Sequence, residues 1–89
     1  MKRKYQAMLF TAYWDGGSKS LDDFYQQCKL RKNVSYRVID CEEASGVDLS
    51  TKWQVKSLPY LILKKGDKVV FRGTFKNIND VMNDVLGCV

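Results

Sequence analysis

One stretch of this chain decides what can be built around it. From Tyr5 to Tyr13 the residues are apolar or aromatic, apart from Gln6 and Thr11. A strand with one wet face alternates apolar and polar side chains; a continuous apolar run is the pattern of a strand buried on both faces. Such a strand needs packing layers above and below its sheet. Asp15-Gly16-Gly17-Ser18 brings the run to an end.

The elements that follow read in order. A helix is predicted from about Ser18 to Lys32, with Leu21, Phe24 and Cys28 on one stripe. Asp22 and Asp23 are expected in its first turn and Lys29, Arg31 and Lys32 in its last, an order that suits the helix dipole. Val34 to Cys41 reads as a second strand, rich in strand formers. Glu42 to Gly46 reads as a loop, with Asp48 capping a short helix that ends near Trp53 or Gln54. Tyr60 to Leu63 and Lys68 to Arg72 read as an antiparallel hairpin turning at Lys65-Gly66-Asp67. Gly73 interrupts the last strand and predicts a bulge or a close backbone approach.

The final helix has the clearest pattern. Asn77 is placed to cap it, with Asp80 at the third helical position. Ile78, Val81, Met82, Val85 and Leu86 make one apolar stripe, and Gly87 is a natural stop. The order is βαβαββα. The first two strands are expected to be parallel through a right-handed crossover. The fold class is therefore α/β, a four-stranded mixed sheet with helices on both faces.

At 89 residues the chain is expected to be one domain, residues 1–89. Its net charge of +5 comes from basic residues interspersed with Asp and Glu, and no nucleic-acid motif accompanies them. The balance reads as solubility, and nucleic acid is a disfavoured partner. The three cysteines, Cys28, Cys41 and Cys88, form no CxxC pair and no zinc spacing. Histidine is absent, which excludes Cys-His and Ser-His-Asp mechanisms. No cofactor or metal is expected. The Ala7–Trp14 run leads into no clear cleavage site and is too short to span a membrane. A cytoplasmic protein with reduced thiols is expected.

Four landmarks in sequence resemble the thioredoxin-like superfamily. Trp14-Asp15-Gly16-Gly17-Ser18-Lys19 stands between a buried strand and a helix, where the family has Trp-Cys-Gly-Pro-Cys-Lys. Ser57-Leu58-Pro59-Tyr60-Leu61-Ile62-Leu63 is similar to the family's strand that opens after a cis-proline. The hairpin with Arg72-Gly73 and the strand end Val38-Ile39-Asp40 also match. The resemblance implies a thioredoxin fold in a short form, without the amino-terminal strand and helix of full-length members.

It also implies a site whose chemistry has changed. Both catalytic cysteine positions are altered, to Asp15 and Ser18, and the family's buried acid would fall near Leu9. Dithiol exchange needs a thiolate to attack and a second thiol to resolve. An Asp cannot attack a disulfide productively, and a Ser without a base is not ionised. Asp15 keeps the negative charge that a helix N-terminus favours, and its simplest role is to cap that helix. Gly16-Gly17 reads as a flexible turn and Ser18 as a first-turn residue with a locally satisfied hydroxyl.

Trp14 is read either as a packing residue or as an exposed anchor for a partner. Leu58-Pro59 carries the same two readings, and Trp53 and Tyr60 are expected to be structural. Cys28 is expected to be buried on its helix stripe. Three functions follow. The first is a redox-inactive module that binds another protein through Trp14, Gly16, Gly17, Leu58, Pro59 and Gly73. The second is a divergent thiol oxidoreductase using Cys41 or Cys88, and the third a basic accessory factor contacting nucleic acid.

Overall fold

The two-sided apolar run forms an inner strand, β1 (Tyr5–Thr11), of a four-stranded sheet ordered β2-β1-β3-β4. The computed structural model describes residues 4–12 and 18–87. β2 (Val34–Asp40) lies parallel to β1, with Tyr5 opposite Val34 and Thr11 opposite Asp40. On the other side β3 (Tyr60–Lys65) runs antiparallel to β1, with Phe10 opposite Tyr60 and Tyr5 opposite Lys65. β4 (Lys68–Gly73) completes the sheet by pairing antiparallel with β3. Tyr13, expected in the first strand, lies outside the described residues.

Alternation along β1 divides the interior in two. Ala7 and Leu9 enter a core with Phe24, Cys28, Val34, Leu61, Leu63, Ile78 and Met82. Met8 and Phe10 enter the opposite core with Ile39 and Ile62. The first core is closed by α1 (Ser18–Lys29) and α3 (Ile78–Leu86), and the second by α2 (Ala44–Lys52) through Leu49. Helices thus cover both faces. This is why neither alternate set of β1 side chains is polar: Phe10 on one face and Leu9 on the other are both buried.

α3 forms as its sequence predicts. The Asn77 side chain accepts from the Asn79 N–H at 2.9 Å, and Asp80 sits in the first turn. Gly87 closes the helix, its N–H donating to the Asn83 carbonyl.

α1 ends three residues early. Leu30 still donates to the Gln26 carbonyl, but Arg31 N–H reaches only Cys28, and the helix gives way there. The cause is the Arg31 side chain, which turns inward and is buried. Its guanidinium donates to the Gln27 carbonyl at 3.0 Å and to Gln27 Oε1 at 2.6 Å. It also reaches Asn83 Oδ1 at 2.9 Å and the Gly87 carbonyl at 2.8 Å, tying the end of α1 to the end of α3. Arg31 is therefore no surface charge on the last turn. Asp22 and Asp23 likewise lie beyond the first turn of a helix that starts at Ser18.

α2 starts at Ala44, two residues before the expected loop ends at Gly46, with Glu43 at its N-cap and Asp48 inside the helix. Gly46 explains the difference. It is buried so close under the end of β2 that a Cβ there would lie 1.8 Å from the Asp40 carbonyl oxygen. Here Ser45-Gly46 marks a tight helix–strand approach, although such a dipeptide in sequence reads as loop. At the other end Gln54 adopts φ 58°, and two bonds close the helix: Gln54 N–H to the Thr51 carbonyl, and Val55 N–H to that of Ser50. This is a Schellman closure with glutamine where glycine is usual.

In the hairpin, Leu63 faces Phe71 and Lys64 faces Val69, so the extra residue of the bulge is Val70, not Gly73. Gly73 is paired with Leu61 and has φ 153°, a conformation that side chains disfavour. Among the described residues, a Cβ at Gly73 would meet the Phe71 ring, at 3.8 Å, and no backbone within 4 Å.

Two substitutions test these local readings by thermal or urea unfolding. Gly46→Ala forces backbone against backbone and is expected to cost about 3 kcal/mol or more. Gln54→Gly relieves a left-handed side-chain residue and is expected to stabilise by about 0.5–1 kcal/mol, net of the added freedom of the unfolded chain.

Candidate functional site

The strand pairings bring the sequence landmarks to one end of the sheet. β1 finishes at Thr11; Tyr60 lies opposite Phe10, and Gly73 lies opposite Leu61. Leu58-Pro59, Gly73 and the end of β1 therefore meet where the chain leaves β1 for α1. The Leu58–Pro59 peptide bond is cis. Trp14, Asp15, Gly16 and Gly17 lie outside the described residues, as do Cys88 and the side chain of Ser18.

Leu58 and Pro59 are half-buried, and Leu58 packs against the Met8–Phe10–Ile39–Ile62 core. Part of the expected docking surface is thus committed to packing. What holds the segment before Pro59 in place is a set of residues for which the sequence offered only a structural reading or none. The Arg72 guanidinium donates to Tyr60 Oη at 3.0 Å and to the Trp53 carbonyl, and lies 5.7 Å from the Tyr60 ring centre. Lys64 Nζ stands 5.5 Å from the centre of the Trp53 ring, and Trp53 also packs against the second core. Cationic groups over aromatic faces contribute about 0.5–1 kcal/mol each at exposed sites. Together they pin the exit of α2 to β3 and β4, and so fix the path into Leu58–Pro59. Arg72 carried a signal in principle: it precedes Gly73 on an edge strand, opposite Ile62.

The position that the resemblance assigns to a buried acid is occupied by Leu9, which is packed in the first core. Cys28 lies in that same core, remote from the Leu58–Pro59 end in packing terms. Burial pushes its thiol up from an ordinary 9.0 to about 12, against a smaller opposing influence of the nearby Arg31 charge. A thiol held protonated in this way is neither nucleophile nor metal ligand at neutral pH. Cys41 is half-buried and packs against the second core just beyond β2. Among the described residues no group of His, Cys, Asp and Glu is arranged to hold a metal ion. No helix among them is long and apolar enough to cross a membrane.

Solved structures of similar shape give the fold its class. Thioredoxin-2 of the malaria parasite, a component of that parasite's protein secretion machinery, superposes with a TM-score of 0.81 at 24% identity, covering 99% of this chain and 86% of its own. Thioredoxin of Fasciola hepatica gives 0.79 at 19% identity, over 96% of this chain and 81% of that one. Mitochondrial thioredoxin 3 of Saccharomyces cerevisiae gives 0.78 at 16%, over 97% and 80%. No protein-family model matches the sequence. No curated protein matches it either. The chain has the thioredoxin fold, in the βαβαββα order and with the four-stranded mixed sheet that its sequence predicts.

Cys28 supplies a test of its environment. Its folded pKa is raised, so the stability it contributes is complete below pH 9.0 and lost as pH rises toward about 12. Between those limits the difference in unfolding free energy between the wild type and Cys28→Ala is expected to shrink by about 1.4 kcal/mol per pH unit. In the native protein, iodoacetamide is expected to leave Cys28 unmodified at pH 8, with labelling only on unfolding.

Proposed function

We propose that the chain is a redox-inactive thioredoxin-like module that binds another protein through the surface around Trp14, Gly16, Gly17, Leu58, Pro59 and Gly73. The observation that carries this reading is a frame kept without its chemistry. Leu58–Pro59 and Gly73 meet at the end of β1, and Arg72, Tyr60 and Trp53 brace them. Yet the two positions that would need thiols are Asp15 and Ser18.

The chemical argument is one of missing steps. Thiol–disulfide exchange transfers two electrons from a dithiol, through a mixed disulfide, to the substrate disulfide. With Asp15 in the attacking place no mixed disulfide forms, and with Ser18 in the resolving place none is released. Cys28 cannot substitute, being buried and held protonated. Asp15, which precedes α1 in the sequence, carries a negative charge, which suits a basic group on a partner. A fold can keep a binding surface after its chemistry has lapsed. That the malaria parasite's thioredoxin-2 is a component of a secretion machinery accords with a thioredoxin fold serving as part of an assembly. The setting proposed is cytoplasmic, with another protein as partner and neither membrane nor nucleic acid engaged.

Two measurements test the reading. With dithiothreitol as electron source, the purified protein is expected to leave insulin disulfides intact. Turnover that persists after Cys28→Ser, Cys41→Ser and Cys88→Ser are combined would rule the proposal out. In a crosslinking pull-down from the native cell, a partner captured by the wild type is expected to be lost with Trp14→Ala and kept with Lys52→Ala on α2. Equal capture by both variants would move the docking surface elsewhere.

A further inference from the structure

Lys64 and Arg72 bring two positive charges to one residue. Lys64 Nζ stands 5.5 Å from the centre of the Trp53 ring, and the Arg72 guanidinium donates to the Trp53 carbonyl. Strand pairing explains the convergence. Arg72 lies opposite Ile62, and Lys64 follows Ile62 by two residues on the same face of β3. Ile62 is part of the second core, against which Trp53 packs as the chain leaves α2. The two cations therefore share the α2 side of the β3–β4 hairpin.

Among the described residues, the contacts of both cations are to uncharged groups. Arg72 Nε donates to Tyr60 Oη and its Nη2 to the Trp53 carbonyl. A guanidinium has five N–H donors, and these bonds leave most of them unused. Arg72 is exposed and Lys64 half-buried, so neither is enclosed by its partners. Like charges gathered at one residue repel one another, and Trp53 and Tyr60 hold them there. Such a pair is pre-organised for an anion: the side chains are already ordered, so binding costs them little rotamer freedom.

The neighbouring sequence has the same sign. Between Leu49 and Asn79 the only acidic residue is Asp67, in the hairpin turn, against seven Lys and Arg. Aromatic rings beside basic residues can also serve single-stranded nucleic acid, whose bases stack on open ring faces. Here Trp53 packs against the second core and lies under Lys64, and Tyr60 packs against the same core and lies under Arg72. What this face offers is charge and N–H donors, which fit carboxylates. Along the sheet, Arg72 and Lys64 are offset by two residues of β3. That is about 6.6 Å, the repeat of alternate side chains in an extended segment.

We propose that the α2 side of the β3–β4 hairpin binds an acidic segment of another protein, with carboxylates at alternate positions paired to Arg72 and Lys64. The Arg72 fork takes one carboxylate through its unused N–H groups, and the Lys64 ammonium takes the next. The contact is ionic and partly exposed, so it is modest in strength and weakens with salt. It adjoins the Leu58–Pro59 end, since the Arg72 that holds the segment also braces the chain entering Pro59. The proposal stands whether or not that end docks a partner.

The probe is a fluorescein-labelled peptide of alternating Glu and Ser, with alternating Gln and Ser as its neutral counterpart. Fluorescence anisotropy with the whole chain at low salt is expected to show saturable binding of the Glu peptide alone. Lys64→Gln combined with Arg72→Gln is expected to weaken it by about tenfold or more. Lys4→Gln combined with Lys29→Gln removes the same charge on the α1 side, where Lys4 lies by Tyr5 of the first core. That pair is expected to change binding by about twofold or less. Circular dichroism reports whether each variant is folded. The second measurement is the movement of backbone amide NMR signals in the wild type. On adding the Glu peptide, shifts are expected at Trp53, Lys64 and Arg72 and not at Lys4 and Lys29. Absence of saturable binding overturns the proposal, as do equal losses in the two double variants or equal shifts at the two sets of amides. Tighter binding of single-stranded DNA of equal charge, lost in the same variant, assigns the face to nucleic acid and overturns it too. If the Lys64 and Arg72 double variant fails to fold, the amide shifts decide.

Discussion

The structure depends on burial of β1 from both sides. Met8 and Phe10 point into one core, Ala7 and Leu9 into the other, and all four are buried. Each fully buried large apolar side chain contributes about 1.5–3 kcal/mol relative to exposure, so neither face of the strand can be left to solvent. That requirement places α1 and α3 on one side and α2 on the other. β2 and β3 are both bonded to β1 along its length, leaving no free edge to this most apolar strand. The end of β1 is in turn the point from which the candidate site is laid out. A polar substitution at Leu9 or Phe10 would disturb core, sheet and site together.

Among the described residues, the frame of the site is held by side chains distant in sequence from the positions that would do thiol chemistry. Leu58 is anchored by the second core, and the chain leading to it by Arg72, through Tyr60 Oη and the Trp53 carbonyl. None of these contacts involves residues 15 or 18. On the proposed reading, Asp15 and Ser18 in place of the family's cysteines leave these supports of Leu58–Pro59 intact. This separability gives a physical basis for a thioredoxin fold without a dithiol: the groups that shape the end of the sheet and the groups that would react there belong to different segments.

Periodicity made most of the fold legible in the sequence. The β1 run, the α3 stripe with its Asn77 cap, and the turn at Gly66-Asp67 each carry their cause locally. The departures were tertiary. Arg31 reads as a basic residue closing a helix, but its guanidinium finds acceptors on α1 and at the far end of α3. Gly46 reads as a loop residue because the carbonyl that demands its small size belongs to Asp40, on another element. Gly73 drew attention as a bulge, whereas the bulge falls at Val70, three residues earlier, and Gly73 serves a backbone angle. Of the expected site residues, Leu58 and Pro59 are joined by a cis bond and Gly73 pairs with Leu61 two residues further on. The brace of Arg72, Tyr60, Trp53 and Lys64 was not legible, since it joins α2, β3 and β4 only after folding.

The two margins of the sheet differ in a way that bears on assembly. β4 carries Lys68 and Arg72 as exposed residues and a bulge at Val70, and Asp67 is the sole acidic residue between Leu49 and Asn79. Reversing β4 against a copy of itself opposes basic residues with basic residues, and the bulge interrupts the ladder. Both features are ordinary defences of an edge. β2 has no bulge, but it too carries exposed charges, Arg37 and Asp40. Self-pairing is therefore discouraged at the basic margin, where it would crowd the strand that carries Gly73.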